Sequence, residues 1–413
     1  MNAIYEICCG LDVHRDNIVA CVMKGDLQSK PKSEIRTFTA LRHGIKELKS
    51  WLEEEGCNHI AMESTGVYWK PVYVELEGSL EGRAEVLLVN AHNIKNVPGK
   101  KTDVKDSEWI AGLLRAGLLT GSFIPEKDVR ELRDWTRYRK NMVNEISTQK
   151  NRIEKFLQSE GFKLSTFMSD VFGVSGKAIL EHISESGTIS IEELDLKLKS
   201  RLRKKKDEIA LAVNGELSEH GKGFLKMQLK HLKQRESNLT EINETIDRYL
   251  EKFEIAVERL DGIPGISKVA ASSIIGEIGI DMSKFSRVEQ ITSWAGVSPG
   301  CNESAGKKKS TKTTHGNPYI KSILCEVAWT VTRQRETYLS KWYWKTKQRR
   351  GAKKAIIGLA RKILVIIYNL LLNKEAYNEQ RFEQTQLKHS INREKKMINE
   401  LKKRGYKIEP MIA

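Results

Sequence analysis

Cysteine is scarce in this chain of 413 residues. There are six, Cys8, Cys9, Cys21, Cys57, Cys301 and Cys325, and no two stand in C-x-x-C spacing. That argues against a disulfide scaffold and a zinc finger and fits a reducing, cytosolic compartment. The opening residues, MNAIYEICCG, have no charged n-region and no cleavage site, so no signal peptide is expected. An uninterrupted apolar run is missing too. The most apolar stretch, AIIGLARKILVIIYNLLL from Ala355, carries Arg361 and Lys362 in its middle. It is expected to be a buried helix rather than a bilayer span, with no membrane partner.

Almost no net charge is carried by the first 300 residues, which hold 44 Lys and Arg against 45 Asp and Glu. The whole surplus lies in 301–413, with 26 Lys and Arg against 9 Asp and Glu. A strongly basic quarter beside a neutral remainder points to a localised surface for a polyanion. The competing explanation is a solvated basic tail.

The opening third alternates strand and helix signals. Ile7 to Val13, Asn17 to Met23 and Arg36 to Ala40 are short apolar or β-branched runs. Gly44 to Glu55 has helical spacing, with Ile45, Leu48, Trp51 and Leu52 on one stripe. A short strand (His59 to Met62), a helix (Pro71 to Leu80), a strand (Glu85 to Asn90) and a helix (Asp103 to Leu119) follow. That order predicts an α/β domain with a mixed sheet, ending near Pro125.

The middle third is helical. Leu132, Ile146 and Ile153 share one seven-residue frame, and Trp135, Met142 and Phe156 share another. Leu225, Leu232, Leu239, Ile246 and Phe253 also recur every seven residues. Two such helices form either an antiparallel hairpin or an oligomeric coiled coil. Gly161 to Gly221, between them, holds the run RLRKKK, a solvated face or a nucleic-acid contact. Further on, Gly262, Pro264 and Gly265 make a turn before a helix opened by Ser267, an arrangement that can present backbone N–H groups to a phosphate. Trp342, Tyr343 and Trp344 lie among Lys and Arg residues, as in surfaces that stack bases, although they cannot all face one side of a helix and at least one is expected in a core.

Four acids occupy special positions. Asp12 lies within the first strand, Glu63 ends the strand IAMES, and Asp103 and Asp106 open a helix in KKTDVKDSEWIAGLL. The i, i+3 spacing of the last two puts them on one helix face. Each has a bland explanation: first-turn acids favoured by the helix dipole, a strand-end surface Glu, a turn Asp. Jointly, an acid on strand one, an acid ending strand four and two on the last helix match how a ribonuclease-H-type fold gathers metal ligands. His14, beside Asp12, either orients that site or is a strand-end surface residue.

GLDVH, AMESTGVYW and KTDVKD resemble the DEDD motifs of the insertion-sequence 110 transposases, whose N-terminal domain is similar to the Holliday-junction resolvase RuvC. LDGIPGISKVAASSIIGEIG, WAGVSPGCNESAGKKKSTKTTHGNPYIKSIL and KKAIIGLARKILVIIYNLLL resemble that family's C-terminal transposase domain. Where the family has Ser-Gly, this chain has Ser304-Ala305-Gly306. The resemblance implies four regions: a RuvC-like DEDD nuclease domain (1–128), a helical coiled-coil linker (129–257), a mainly α C-terminal domain with a helix-hairpin-helix-like element (258–374) and a basic tail (375–413). It implies a recombinase that excises and inserts mobile DNA, guided by a bridge RNA that pairs with donor and target DNA. Asp12, Glu63, Asp103 and Asp106 match the acids that bind Mg²⁺, or Mn²⁺. Ser304 matches the serine that becomes covalently joined to DNA, and it is expected on an exposed loop.

Lys307, Lys308, Lys309, Lys312, Arg349 and Arg350 are candidates to hold phosphates. A homodimer or tetramer acting on the nucleoid of a prokaryotic cytosol is expected. Two other functions compete: a metal-dependent RuvC-like junction endonuclease that hydrolyses DNA without a covalent intermediate, and a non-catalytic nucleic-acid-binding protein.

Overall fold

The computed structural model describes residues 3–64, 66–77, 84–90, 106–300, 302–304, 307–310, 312–313 and 315–406. The chain divides into two compact units, Met1–Ile124 and Pro125–Ala413.

Unit one is built on β1 (Ile7–Val13), β2 (Asn17–Lys24), β3 (Lys32–Thr39), α1 (Arg42–Glu54), β4 (His59–Glu63), α2 (Trp69–Glu77), β5 (Glu85–Val89) and α3 (Asp106–Arg115). The five strands form one mixed sheet in the order β3-β2-β1-β4-β5. β2 runs antiparallel to β1 and β3, and β4 is parallel to β1 and β5. Among the described residues, the element order expected from the hydrophobic pattern is the one observed. The third strand starts earlier than its apolar residues suggest, because Lys32–Ile35 pair along β2 while remaining exposed. Polar side chains on that edge discourage pairing with other chains.

Strand alternation sorts this unit into two cores. Cys9, Leu11, Val13, Ile60, Met62 and Leu88 face one side and pack on the stripe Ile45, Leu48, Trp51 and Leu52 of α1 and on Val72 and Leu76 of α2. Cys8, Cys21, Met23, Ala61 and Val89 face the other side and pack on Ile110, Ala111, Leu113 and Leu114 of α3. Gly10 lies under α3, and its reason is steric. A Cβ there would stand 2.2 Å from the Ser107 carbonyl oxygen and 2.4 Å from the Ala111 nitrogen. Helix and strand touch backbone to backbone at this point.

Unit two is mostly helical. α4 (Lys127–Ser159) is followed by the short helices α5 (Val174–Ser186), α6 (Ile191–Lys197) and α7 (Lys206–Ala212), then by α8 (Glu219–Leu250). α4 and α8 form an antiparallel pair within the chain. Arg139 Nε donates to Asn243 Oδ1 at 2.7 Å, Gln149 Nε2 to the Gln228 carbonyl at 3.3 Å, and the Phe156 and Phe224 rings meet edge-on at 5.0 Å. Of the heptad residues, Leu132, Met142, Ile146, Ile153, Leu225, Leu232, Ile246 and Phe253 are buried, while Trp135, Phe156 and Leu239 are half-buried.

α9 (Glu254–Asp261) and α10 (Lys268–Ile278) flank a turn in which Gly265 has φ +83, and Ser267 caps α10. After α11 (Val288–Trp294), a hairpin of β6 (Asn302–Ser304) and β7 (Lys307–Ser310) leads into α12 (Pro318–Val331), α13 (Tyr338–Arg350), α14 (Ala352–Asn373) and α15 (Glu379–Lys403). By length and composition α14 could cross a membrane. Here its apolar face is core, with Leu359, Ile363, Leu364 and Ile367 fully buried. Lys362, on its other face, lies over the rings of Tyr338 and Trp342 at 4.9 and 5.6 Å. Such cation–π contacts accommodate a cation beside an apolar helix.

Candidate active site

The carboxylates are brought together by register and close packing. Asp12 lies two residues beyond Gly10 on the same face of β1, the face covered by α3. Leu11 pairs with Met62 across the parallel β1–β4 ladder, so Asp12 and Glu63 are the next residues at the C-terminal ends of neighbouring strands. Ala61 faces α3, and alternation puts Glu63 on that side as well. The backbone contact at Gly10 then brings the first residue of α3, Asp106, to the same edge.

Electrostatics supports that convergence. Asp12 is half-buried, its side chain 19% exposed. Burial raises its carboxyl pKa above the usual range; the nearby His14 opposes this, while the charges of Asp106 and Glu63 add to it. Carboxylates that share a site resist ionising together. His14 Nε2 stands 3.1 Å from Asp12 Oδ2 with its ring largely exposed, so His14 touches the site from the solvent side. Asp103 lies outside the described residues, where the described helix begins at Asp106. Among the described residues no three His, Cys, Asp or Glu side chains form a ready metal cage. The donor chemistry nonetheless suits Mg²⁺, which takes one or two carboxylates and fills its remaining positions with water and phosphate oxygens.

Ser304 belongs to unit two. It ends β6 and pairs with Lys307 of β7, so its backbone is extended in a hairpin, a correction to the loop expected for it. Lys307, Lys308 and Lys309 continue along β7. Lys312 follows at the hairpin's base, where its carbonyl accepts from the Gly300 N–H at 2.9 Å. Arg349 and Arg350 are exposed at the end of α13. Of the three consecutive aromatics on that helix, Tyr343 is the core residue, 2% exposed. Trp344 lies between Arg335 and Lys347, whose charges are 4.6 and 4.4 Å from its ring.

One cluster was not singled out from sequence. Glu277, on the small-residue helix α10, is 1% exposed. Arg137 grips it with both arms, Nε to Oε1 at 2.7 Å and Nη2 to Oε2 at 2.9 Å. Asn317 Nδ2 donates to Oε2 at 2.6 Å. Arg133 donates to the Gly276 and Glu277 carbonyls, and burial pushes its pKa down to about 10. The available signal was an acid inside the apolar run IIGEIG, which demands a partner when buried.

Comparison with known proteins agrees with both halves. A family model of DEDD-type IS110 elements, described as Transposase, matches residues 9–161. A second, described as Transposase IS116/IS110/IS902 family, matches residues 257–345. The chain is 28% identical over 124 residues to the "Transposase for insertion sequence element IS1111A" of Coxiella burnetii, covering 29% of this chain and 34% of that protein. It is 29% identical over 143 residues to the "Putative transposase y4pF/y4sB" of Sinorhizobium fredii, covering 33% and 37%. To that organism's "Putative transposase y4qE" it is 24% identical over 253 residues, covering 60% and 52%. The matched stretches thus span a third to a half of these relatives' lengths. The two family models fall on the segments that carry Asp12, Glu63 and Asp106 and on the segment that carries the Ser304 hairpin, and the chain belongs to the IS110 family of transposases.

Proposed function

We propose that this protein excises a mobile DNA element and inserts it at a target site, acting in a prokaryotic cytosol on nucleoid DNA. The observation that carries the proposal is the convergence of Asp12, Glu63 and Asp106 at one sheet edge. The strand order β3-β2-β1-β4-β5, with β2 reversed, supports a ribonuclease-H-type, RuvC-like assignment of unit one. Asp12, Glu63, Asp106 and, outside the described residues, Asp103 would hold Mg²⁺ or Mn²⁺. When bound, the cation supplies positive charge to the scissile phosphodiester.

The remaining chemistry belongs to the chain. Ser304 Oγ attacks phosphorus and a deoxyribose oxygen leaves. One phosphoester bond forms as one breaks, so rejoining needs no ATP. The serine proton passes to solvent, and the departing oxygen takes a proton up from it. Lys307, Lys308, Lys309 and Lys312 steady the phosphate, and Arg349 and Arg350 hold flanking backbone by charge-assisted contacts. A bridge RNA pairs donor with target DNA, and the basic segment 301–413 supplies the phosphate contacts for both nucleic acids. Cutting several strands requires several active sites, so a dimer pairing into a tetramer on nucleic acid is proposed. Because α4 and α8 pair within one chain, that assembly is proposed to use surfaces other than the seam they share.

The test uses a supercoiled plasmid carrying the gene with its native flanks. Wild-type protein with Mg²⁺ should give a protein–DNA adduct that survives denaturation. Ser304→Ala should give none while still binding RNA transcribed from the flanks. Cleaved DNA without any adduct in the wild type would identify a hydrolytic junction endonuclease instead, and full activity in EDTA would remove the metal assignment.

A further inference from the structure

The buried carboxylate of Glu277 has no place in the chemistry above, yet three hydrogen bonds converge on it. Its partner Asn317 is the joint through which the Ser304 hairpin returns to the helical body. The Asn317 carboxamide does two things at once. Oδ1 accepts from the Tyr319 and Ile320 N–H groups at 2.9 and 3.4 Å and so starts α12. Nδ2 donates to Glu277 at 2.6 Å. Its backbone N–H reaches the Trp294 carbonyl at the end of α11, 2.9 Å away. A planar amide held at both ends cannot turn, so the return strand leaves Asn317 in one direction.

The surrounding contacts permit little slack. At Gly316 a Cβ would stand 2.3 Å from the Gly296 nitrogen and 2.5 Å from the Trp294 oxygen, so the outgoing and returning backbones are stacked against each other. Pro299 and Thr313 bridge the hairpin's base, and Lys321 Nζ on α12 donates to Thr313 Oγ1 at 2.8 Å. Arg137, which orients Glu277, is itself seated over the Tyr319 ring at 4.1 Å. α4 and α10 therefore meet the residue that opens α12 at one buried charge, and α11 holds that same residue by its backbone.

We propose that Glu277 is a positioning residue: through Asn317 it fixes the direction in which the β6–β7 hairpin presents Ser304 to the phosphodiester. The proposal rests on the assignment of Ser304 as nucleophile. It predicts that a loose joint slows the chemical step without weakening DNA binding. A misplacement of about 1 Å can cost about a hundredfold in rate.

The decisive experiment is a charge-conserving exchange. Asn317→Asp keeps an acceptor for the start of α12 but turns the Glu277 contact into one carboxylate against another. Glu277→Gln with Asn317→Asp restores a donor opposite an acceptor and the original total charge, and Arg137 Nη2, which loses its acceptor at Oε2, has the carboxylate at position 317 beside it instead. Single-turnover adduct formation on the native-flank plasmid, plasmid affinity, thermal midpoint and amide hydrogen exchange of the hairpin are measured for each. The single variant should form adduct at least about tenfold more slowly, with affinity near wild type and faster exchange at Gly300. The double variant should recover to within about threefold. A folded Asn317→Asp protein with wild-type rate overturns the proposal, as does a double variant that folds normally yet stays at least tenfold slow. If the single variant fails to fold, the double variant alone decides. Loss of adduct in Ser304→Ala beside an unaffected Asn317→Asp sinks only the positioning role. An adduct that persists in Ser304→Ala sinks the serine assignment and this proposal with it.

Discussion

Replacing Gly10 by Ala tests the packing that assembles the acidic site. The added methyl group would lie 2.2 Å from the Ser107 oxygen and 2.4 Å from the Ala111 nitrogen, both backbone atoms of α3. Ordinary contacts begin near 3.4 Å, so the helix must retreat by about 1 Å at the point where it carries Asp106. Overpacking against rigid backbone costs about 1–3 kcal/mol, and the stiffer unfolded chain returns up to about 1 kcal/mol. A net loss of about 2 kcal/mol should lower the melting temperature of unit one by roughly 10 °C. The same retreat separates Asp106 from Asp12 and should reduce strand cleavage by about a hundredfold.

Gly112→Ala, on the same helix, is the control. Its nearest neighbour would be Met23 Cε at 4.0 Å, so it should be neutral or stabilising by up to about 1 kcal/mol. Differential scanning fluorimetry and plasmid cleavage read both variants. A Gly10→Ala protein that melts and cleaves like wild type would refute the packing of α3 on β1, and with it the route by which the acids meet.

Three further outcomes are expected. Because the folded Asp12 carboxyl holds its proton more tightly than in the unfolded chain, ionising it costs stability as pH rises through the unfolded carboxylate range to its raised folded value, and the cost is absent below both. Asp12→Asn should therefore raise the melting temperature in EDTA at pH 7 but not at pH 3, while abolishing cleavage; an equal rise at both pH values would deny the cause. Arg349→Ala with Arg350→Ala should reduce the slope of log affinity against log salt by about 0.9 per lost phosphate contact, and an unchanged slope would move the contact surface elsewhere. Ile153→Ala, fully buried on α4, should cost about 2–5 kcal/mol in urea unfolding independently of protein concentration; a concentration-dependent loss would make its seam intermolecular.

Much of unit one was legible from local pattern. Strand alternation and the α1 stripe depend on burial of one face at a fixed period, and Ile45, Leu48, Trp51 and Leu52 are buried as that period requires. The heptad spacing of Leu132, Ile146 and Ile153 announced a helix with one buried face. It could not name the partner, because an apolar seam is equally well covered by a second copy or by the same chain. Tertiary contacts such as Arg139–Asn243 decided for the same chain. The sequence also marked Asp12, Glu63 and Asp106 as acids in unusual places, but their meeting depends on a glycine that lets two backbones touch. The Glu277–Asn317 joint was still less visible. Its members lie 40 residues apart and a third, Arg137, is a further 140 away. Periodicity reports what one segment buries, whereas a paired buried charge exists only where distant segments cross, so the sequence by itself determined the elements and tertiary structure decided which charges they share.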